Sequence, residues 1–297
     1  MALNQSTVNH ETCKACAYCA DICPNMLLEL SDEKKIIFKS DFHNLCIICG
    51  HCMAVCPTNS IQIEGLNYET DFFPIDPKIK ETDSFQNIIK KRRAVRLFKD
   101  KAVPKELLEK IAIAMTFAPV GFTPSMLHFQ VISNQQKIKE ALPGMLAIYE
   151  KFIRMMKNPI IRYFIRKSAG EENYLSLKDH VIPILKAKMP AIKKDGLDPI
   201  FRNAPAVILI HASKKAASVT EDGLIALSYG FLAAESLGLG TCPISLIPPA
   251  LNYDEKLKQI FGIPPENKVI SSFIIGYPKY RLKKSIYRKV QEINYVS

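Results

Sequence analysis

Two cysteine runs constrain this chain more than anything else in it. The first reads Cys13-x-x-Cys16-x-x-Cys19-x-x-x-Cys23-Pro24, and the second Cys46-x-x-Cys49-x-x-Cys52-x-x-x-Cys56-Pro57. Every cysteine of the second run lies 33 residues after its counterpart, and the closing proline keeps the offset. Each run has the bacterial spacing for iron–sulfur ligation, in which the fourth cysteine serves the other cluster. The expected arrangement is therefore crossed. Cys13, Cys16, Cys19 and Cys56 would hold one [4Fe–4S] cube, and Cys46, Cys49, Cys52 and Cys23 the other. Three thiolates from one tight loop can cap a cube, while the fourth must arrive from elsewhere, so both halves fold around both cofactors. Structural zinc usually uses two Cys-x-x-Cys pairs rather than triplets with a fourth cysteine and proline. A disulfide framework needs an oxidising compartment, which nothing else here suggests. Unligated core cysteines would not repeat at fixed spacing.

At 297 residues the chain exceeds one average domain, and two are expected. The opening stretch, MALNQSTVNHE, is polar, so a secretory signal is not expected, and no apolar run is long enough to span a bilayer. With eight cysteines as cluster ligands, a reducing cytoplasm is the expected home. The net charge of +11 is uneven: residues 1–66 hold four lysines against seven acids, a net of −3, leaving +14 for the rest. That split would steer partners or draw the two domains together. No nucleic-acid-binding motif accompanies the basic pI.

Lys35–Phe38 reads as a short strand, with residues 60–64 as its expected partner. So small a domain has little core, and its metal centres would hold it together. The expected division is a cluster domain over residues 1–66, a proline-bearing linker over 67–85, and a second domain over 86–297. In that domain one helix ends near the stretch Lys90 to Phe98. Another follows Pro104, with Leu107, Leu108, Ile111 and Met115 on one face, and stops at Ala118-Pro119. A strand at residues 129–133 precedes a short helix over 135–142.

Lys151 to Lys167 contains six basic residues and no acid, interleaved with Phe, Ile, Met and Tyr, and Pro159 breaks the run. Such a segment can be a lid that snorkels its charges, or a helix lying on a membrane surface. Further on, residues 206–210 read as a buried strand. Ser218-x-x-Glu221 reads as a capping box and Gly238 as the stop of the following helix. Thr241 to Leu246 leads to a Pro-Pro turn, and residues 269–276 form a last strand before a basic tail. This order suggests an α+β sheet rather than a dinucleotide-binding fold. Gly238-Leu239-Gly240 lacks the third glycine of that fingerprint. Cys242 and His211 read as packing residues.

The cysteine-rich stretch, over roughly residues 8–65, resembles the two-cluster bacterial ferredoxins. Four further pieces recur in this order in the FMN-dependent nitroreductase family. They are Arg92-Arg93-Ala94-Val95-Arg96-Leu97-Phe98, the Ala118-Pro119 helix end, Gly238 to Ile244, and Gly276-Tyr277-Pro278 with its basic tail. The resemblance covers roughly residues 83–293 and implies an FMN domain with a mixed sheet flanked by helices.

It also implies a cofactor site. Arg92 takes the place of the phosphate arginine, beside Arg93 and Ala94, and a guanidinium suits a dianionic phosphate. Arg288 or Lys289 is the second phosphate contact, with Lys283 and Lys284 as rivals. Arg96 falls near the flavin N1 and O2 edge, where a cation stabilises the reduced, anionic ring. Pro243, Ile244, Ser245 and Leu246 match the segment beside the ring that offers amides to N5 and O4. Several positions depart from the family pattern. Ala94 replaces a serine, Thr123 and Ser125 stand where Asn and Gln are usual, and Leu246 stands for a glycine. The chain has no tryptophan, so an aromatic substrate wall would have to come from Phe or Tyr.

The implied protein is an iron–sulfur flavoprotein reductase. Its donor is a ferredoxin-like protein or NAD(P)H, and its acceptor a small electron-poor molecule such as a nitroaromatic, quinone or activated alkene. An intertwined homodimer is implied. The alternatives are an electron carrier or redox sensor without an organic substrate, and a membrane-surface electron-transfer subunit.

Overall fold

The structure is a computed structural model that describes residues 5–74, 84–119, 126–287 and 294–296. Contacts divide the chain into two units, Met1–Lys91 with Tyr280–Ser297, and Arg92–Lys279.

The first unit repeats itself. It contains β1 (Thr7–Val8), α1 (Tyr18–Ile22), β2 (Leu28–Leu30), β3 (Ile36–Phe38), α2 (Phe42–Leu45), α3 (His51–Val55) and β4 (Ile61–Gln62). Helix α3 is α1 displaced by 33 residues, and left-handed backbone recurs at the same offset. Ala15 and Ile48 both have φ 49°, Met26 and Asn59 both 55°, and Ala17 (59°) answers Gly50 (72°). Such φ values disfavour any residue with a Cβ, and a β-branched one most. Their recurrence means that each loop is bent for a purpose, not by local preference.

The strand pairing expected from the sequence is not the one formed. Strand β3 pairs antiparallel with β2, Leu28 opposite Phe38, while β4 pairs with β1, Val8 opposite Ile61. The β2–β3 hairpin closes over residues 31–35 alone, with Lys34 donating to the Ser31 carbonyl. Short closure costs less entropy than pairing with residues 60–64.

The unit continues through α4 (Tyr68–Asp71), β5 (Phe72–Pro74) and α5 (Ser84–Lys91). Part of the expected linker is thus ordered structure. Asn67 caps α4, accepting from the Glu69 amide at 2.8 Å, and Phe72 of β5 belongs to the first unit's core.

In the second unit a four-stranded antiparallel sheet, order β6-β7-β9-β8, runs between two helical layers. The helices are α6 (Lys105–Thr116), α7 (Gln135–Met155), α8 (Pro159–Ala169), α9 (Glu171–Ser176), a π-helical turn (Leu177–Val181), α10 (Ile182–Asp195), α11 (Val219–Ser236), α12 (Ile247–Tyr253) and α13 (Glu255–Ile260). The strands are β6 (Leu127–Ile132), β7 (Ala206–Ser213), β8 (Gly240–Pro243) and β9 (Asn267–Gly276). Period-two alternation on β7 serves both cores. Val207 and Leu209 join the core that holds α7 and α12 residues, while Ala206, Ile208 and Ile210 join that of α6 and α11.

Three expectations change here. Helix α7 does not stop at Leu142 but runs through Pro143, because Ile138, Ala141, Met145, Ile148 and Tyr149 bury one continuous face. That burial offsets the roughly 3 kcal/mol an interior proline costs. Ser218 makes no side-chain cap, because its φ of 55° departs from the extended backbone a capping serine needs. Pro248 and Pro249 open α12 rather than forming a turn, since the first helical turn needs no amide donors. Gly238 does end α11, at φ 74°. Its amide donates to Glu235 and that of Leu239 to Ala234.

The chain then returns to the first unit, where β10 (Lys284–Ile286) pairs with β5, Ser285 opposite Phe73. The basic tail is therefore, in this stretch, the closing strand of the cysteine-rich unit.

On the sheet, His211 is buried opposite His128, the rings stacked at 5.2 Å, and Asn267 Nδ2 lies 2.9 Å from His211 Nδ1. Burial, with His128 a lesser cause, holds the His211 pKa down at about 4 from its usual 6.5. A group depressed in the folded state leaves stability whole above the unfolded value and removes it as pH falls. Stability should therefore drop between pH 6.5 and about 4, by up to roughly 3 kcal/mol. Urea unfolding of the wild type and His211→Gln at pH 7 and pH 5 checks this. An equal loss in both proteins would remove His211 as the cause.

Candidate functional sites

In the first unit the cysteines sort into the two crossed groups. Cys23, Cys46, Cys49 and Cys52 line one small cavity that opens to solvent, with Leu27, Phe42 and Ile48 among its apolar walls. Among the described residues no group of three or more His, Cys, Asp or Glu converges tightly enough to hold a single metal ion. Thiols spaced around a cavity suit a polynuclear cluster better than one zinc ion. The other group gathers at Cys19. Burial pushes its thiol up to about 12, and Cys56, Cys16 and Cys13 add repulsion against its charged form. Burial likewise pushes Cys52 far up, with Cys49, Cys23 and Cys46 its strongest neighbours, and Cys19 reaches it as well.

The sulfur atoms also receive amides. Leu27 donates to Cys23 Sγ at 3.3 Å and Ser60 to Cys56 Sγ at 3.2 Å, again 33 residues apart. For Cys56, hydrogen bonds centred on Thr58 and Ser60 outweigh burial and lower the thiol. Such bonds stabilise negative charge on a ligating sulfur and tune a cluster's potential.

In the second unit a basic site forms where the segment after α5 meets the sheet. Ala94 makes a parallel bridge to Thr241, and the Val95 amide donates to the Thr241 carbonyl at 2.8 Å. This fastens Arg92–Arg96 along the edge of β8. Gly240 is required here, since a Cβ would lie 2.5 Å from Val95 Cγ2. Arg92 sits over the Phe231 ring at 5.4 Å, and Arg96 Nη1 donates to the Ala94 carbonyl at 3.4 Å.

Arg202, to which nothing in the sequence drew attention, joins them. Its backbone is left-handed (φ 55°), and its buried Nε has no hydrogen-bond partner among the described residues. Asp198 shapes this loop by accepting the amides of Ile200, Phe201 and Asn203 at 3.0, 2.8 and 3.1 Å. Burial pushes the Cys242 thiol up, while Arg96, Arg202 and Arg92 all pull against it. Three guanidiniums therefore lie within electrostatic reach of one buried sulfur. The one hint in the sequence was an acid and an arginine four residues apart, just before a buried strand.

The remaining expected contacts are scattered. Pro243, at the end of β8, and Ser245, just beyond it, are exposed. Ile244 is buried, and its amide already donates to Ser272 at 3.1 Å, so it is not available to a ring edge. The Leu246 carbonyl accepts from Tyr149 Oη at 2.5 Å. Arg93 is half-buried. Thr123, Ser125, Arg288 and Lys289 lie outside the described residues. Of the rival cations, Lys284 belongs to the first unit, where it bonds Asn59 Oδ1 and covers the Tyr68 ring at 4.7 Å.

Residues 89–277 match the Nitroreductase family model. The chain belongs to the nitroreductase family. Ahead of that domain, residues 12–61 match the 4Fe-4S dicluster domain. A curated relative is iodotyrosine deiodinase of Hydra vulgaris, 24% identical over 225 residues, covering 70% of this chain and 72% of the relative. Human iodotyrosine deiodinase 1 is 24% identical over 229 residues, covering 73% and 68%. Among solved structures, the nitroreductase with bound FMN from Desulfitobacterium hafniense DCB-2 aligns with a TM-score of 0.52 at 20% identity. The alignment covers 74% of this chain and all of that one. The FMN-bound nitroreductase from Bacteroides fragilis gives 0.51 at 22% identity, covering 72% and 98%. The fold is thus nitroreductase-like with a ferredoxin-type domain in front, and the chain is a reductase of this family. Among the described residues, no helix is long and apolar enough to cross a membrane.

Proposed function

We propose that this nitroreductase-family protein is an FMN-dependent reductase fed by its own two [4Fe–4S] clusters. Electrons would enter from a ferredoxin-like donor or NAD(P)H and leave to an electron-poor organic acceptor such as a nitroaromatic, quinone or activated alkene. The observation that carries the flavin half is the gathering of Arg92, Arg96 and Arg202 at the Ala94–Thr241 bridge, with a buried guanidinium Nε left unpartnered. Three guanidiniums close together repel one another and a buried N–H without an acceptor is costly, and an anionic ligand would relieve both. Arg92 would hold the phosphate, and Arg96 with Arg202 would favour negative charge on the reduced ring. The amides of Ser245 and Leu246 would serve the ring edge in place of the committed amide of Ile244.

The cluster half rests on the crossed grouping of the cysteines and on the repeated left-handed loops, whose strain a cluster would offset. Cys13, Cys16, Cys19 and Cys56 would ligate one cluster and Cys23, Cys46, Cys49 and Cys52 the other. When bound, the clusters supply one-electron steps and the flavin accepts or releases one or two electrons.

A homodimer is part of this reading. Helix α11 is apolar on most of its circumference, and Leu224, Ile225 and Tyr229 remain exposed on it. Ile113 and Phe117 are exposed on and just after the neighbouring α6. An apolar face of that kind calls for a cover, and a second copy supplies one.

Protein purified without oxygen should contain about eight iron, eight sulfide and one FMN per chain. Anaerobic reduction followed by a panel of acceptors, read by flavin reoxidation, would then show turnover. Tightly bound zinc, or protein that takes up no flavin on reconstitution, would defeat the proposal.

A further inference from the structure

The basic stretch read from the sequence is absorbed by neither site. Its centre is α8, begun by Asn158, which accepts the Ile160 amide at 2.9 Å, with Pro159 in the first turn. The helix has two apolar faces. One is packed: Ile165 lies against Met156, Tyr174 and Ile182. The other holds Ile160, Tyr163 and Phe164, spaced i, i+3 and i+4, and these are 67%, 62% and 62% exposed. Tyr163 and Phe164 meet edge to face at 5.7 Å, which makes one contiguous patch.

Cations bracket that patch. Lys157 is exposed in the turn just before the helix, and Lys167, at i+7 from Ile160, lies on the same face. Arg162 lies on the far side of the helix, and Arg166, toward its flank, is shared with Glu171. No acid occurs between residues 151 and 167.

We infer that α8 docks flat on an anionic phospholipid surface. Ile160, Tyr163 and Phe164 would enter the headgroup–acyl boundary, and Lys157 and Lys167 would lie among the phosphates. Apolar residues on one face with Lys and Arg flanking them is the chemistry of interfacial helices, and long cationic stems reach from the apolar layer to the headgroups. A second copy fits less well, because a two-fold contact through this patch would set like charges against each other. A nucleic acid would leave the apolar triad unused.

The test is co-sedimentation of the full-length holoprotein with phosphatidylcholine vesicles and with equimolar phosphatidylcholine–phosphatidylglycerol vesicles. Binding should appear with the anionic vesicles, weaken as salt rises, and be nearly absent with the neutral ones. Tyr163→Ser/Phe164→Ser should lower partitioning by about tenfold, as expected for withdrawing two aromatic side chains. Lys157→Gln/Lys167→Gln should lower it by roughly fivefold or more per cation. All four positions point to solvent, so unchanged circular dichroism is expected, and single Phe164→Ser reads the same loss if the double variant folds poorly. The inference is overturned if wild-type protein ignores anionic vesicles at low salt, or if the serine variants bind as the wild type does. Equal binding to soluble polyglutamate would reduce the surface to a site for acidic polymers, and conversion of a dimer to monomer by the serine pair would make it a self-interface. Either result also overturns it.

Discussion

Replacing Cys52 with alanine should unfold the cysteine-rich unit rather than merely empty one position. The half-buried thiol lines the cavity it shares with Cys23, Cys46 and Cys49, and it is also within electrostatic reach of Cys19 in the other group. Little else would hold the unit together. Its strands are two or three residues long, and most of its helices have four or five. In so small a unit, metal-binding free energy is largely folding free energy. Losing one ligand from a crossed arrangement loosens both loops at once. Iron should fall from about eight per chain to four or fewer, with loss of visible absorbance and rapid proteolysis within residues 5–74. The flavin-binding unit, with its own core, should keep a separate melting transition. Cys242→Ser provides the control, since that thiol lies in the other unit and its loss should leave iron unchanged. Full iron content in Cys52→Ala would show that the crossed grouping does not describe ligation.

Gly240→Ala should be the most damaging single methyl in the second unit. The added Cβ would stand 2.5 Å from Val95 Cγ2 and 2.7 Å from Val95 Cβ, so rotating the valine does not relieve it. Either β8 or the Arg92–Arg96 segment must move. Overpacking of this kind costs about 1–3 kcal/mol, which for a unit this size lowers the melting temperature by roughly 2–10 °C. The functional loss should be larger than the stability loss, because the displaced segment carries two of the three gathered arginines. FMN affinity measured by fluorescence quenching should fall by at least about tenfold, equivalent to displacing a charged contact by a fraction of an ångström. Val95→Ala in the same protein should restore part of both, since it removes the two nearest methyl groups. An unchanged melting temperature and unchanged FMN affinity would mean that the bridge does not position the arginines.

These two sites differ in how far they could be read in advance. The cysteine groups were legible because ligand spacing is local and occurs twice, so that each run corroborates the other. Arg92 and Arg96 were legible for a similar reason, lying in one short stretch with a recognisable pattern. Arg202 was not. It reaches the site because Asp198 gathers the amides of residues 200, 201 and 203 and turns the loop before β7, an arrangement no periodicity announces. Helix α7 illustrates a different failure: a short helix over 135–142 was expected, but the buried face on both sides of Pro143 outweighed the lost hydrogen bond.

By itself, then, the sequence determined that a ferredoxin-type part precedes a nitroreductase-like one, and that the second is α+β. Those properties follow from residue type and spacing within a few turns of chain. Only the tertiary structure decided that β2 pairs with β3 and β4 with β1, that the C-terminal strand closes the cysteine-rich unit against β5, and that a third arginine joins the basic site. Each of these depends on partners brought together by loop closure and burial, and those energies belong to the whole fold rather than to any one segment.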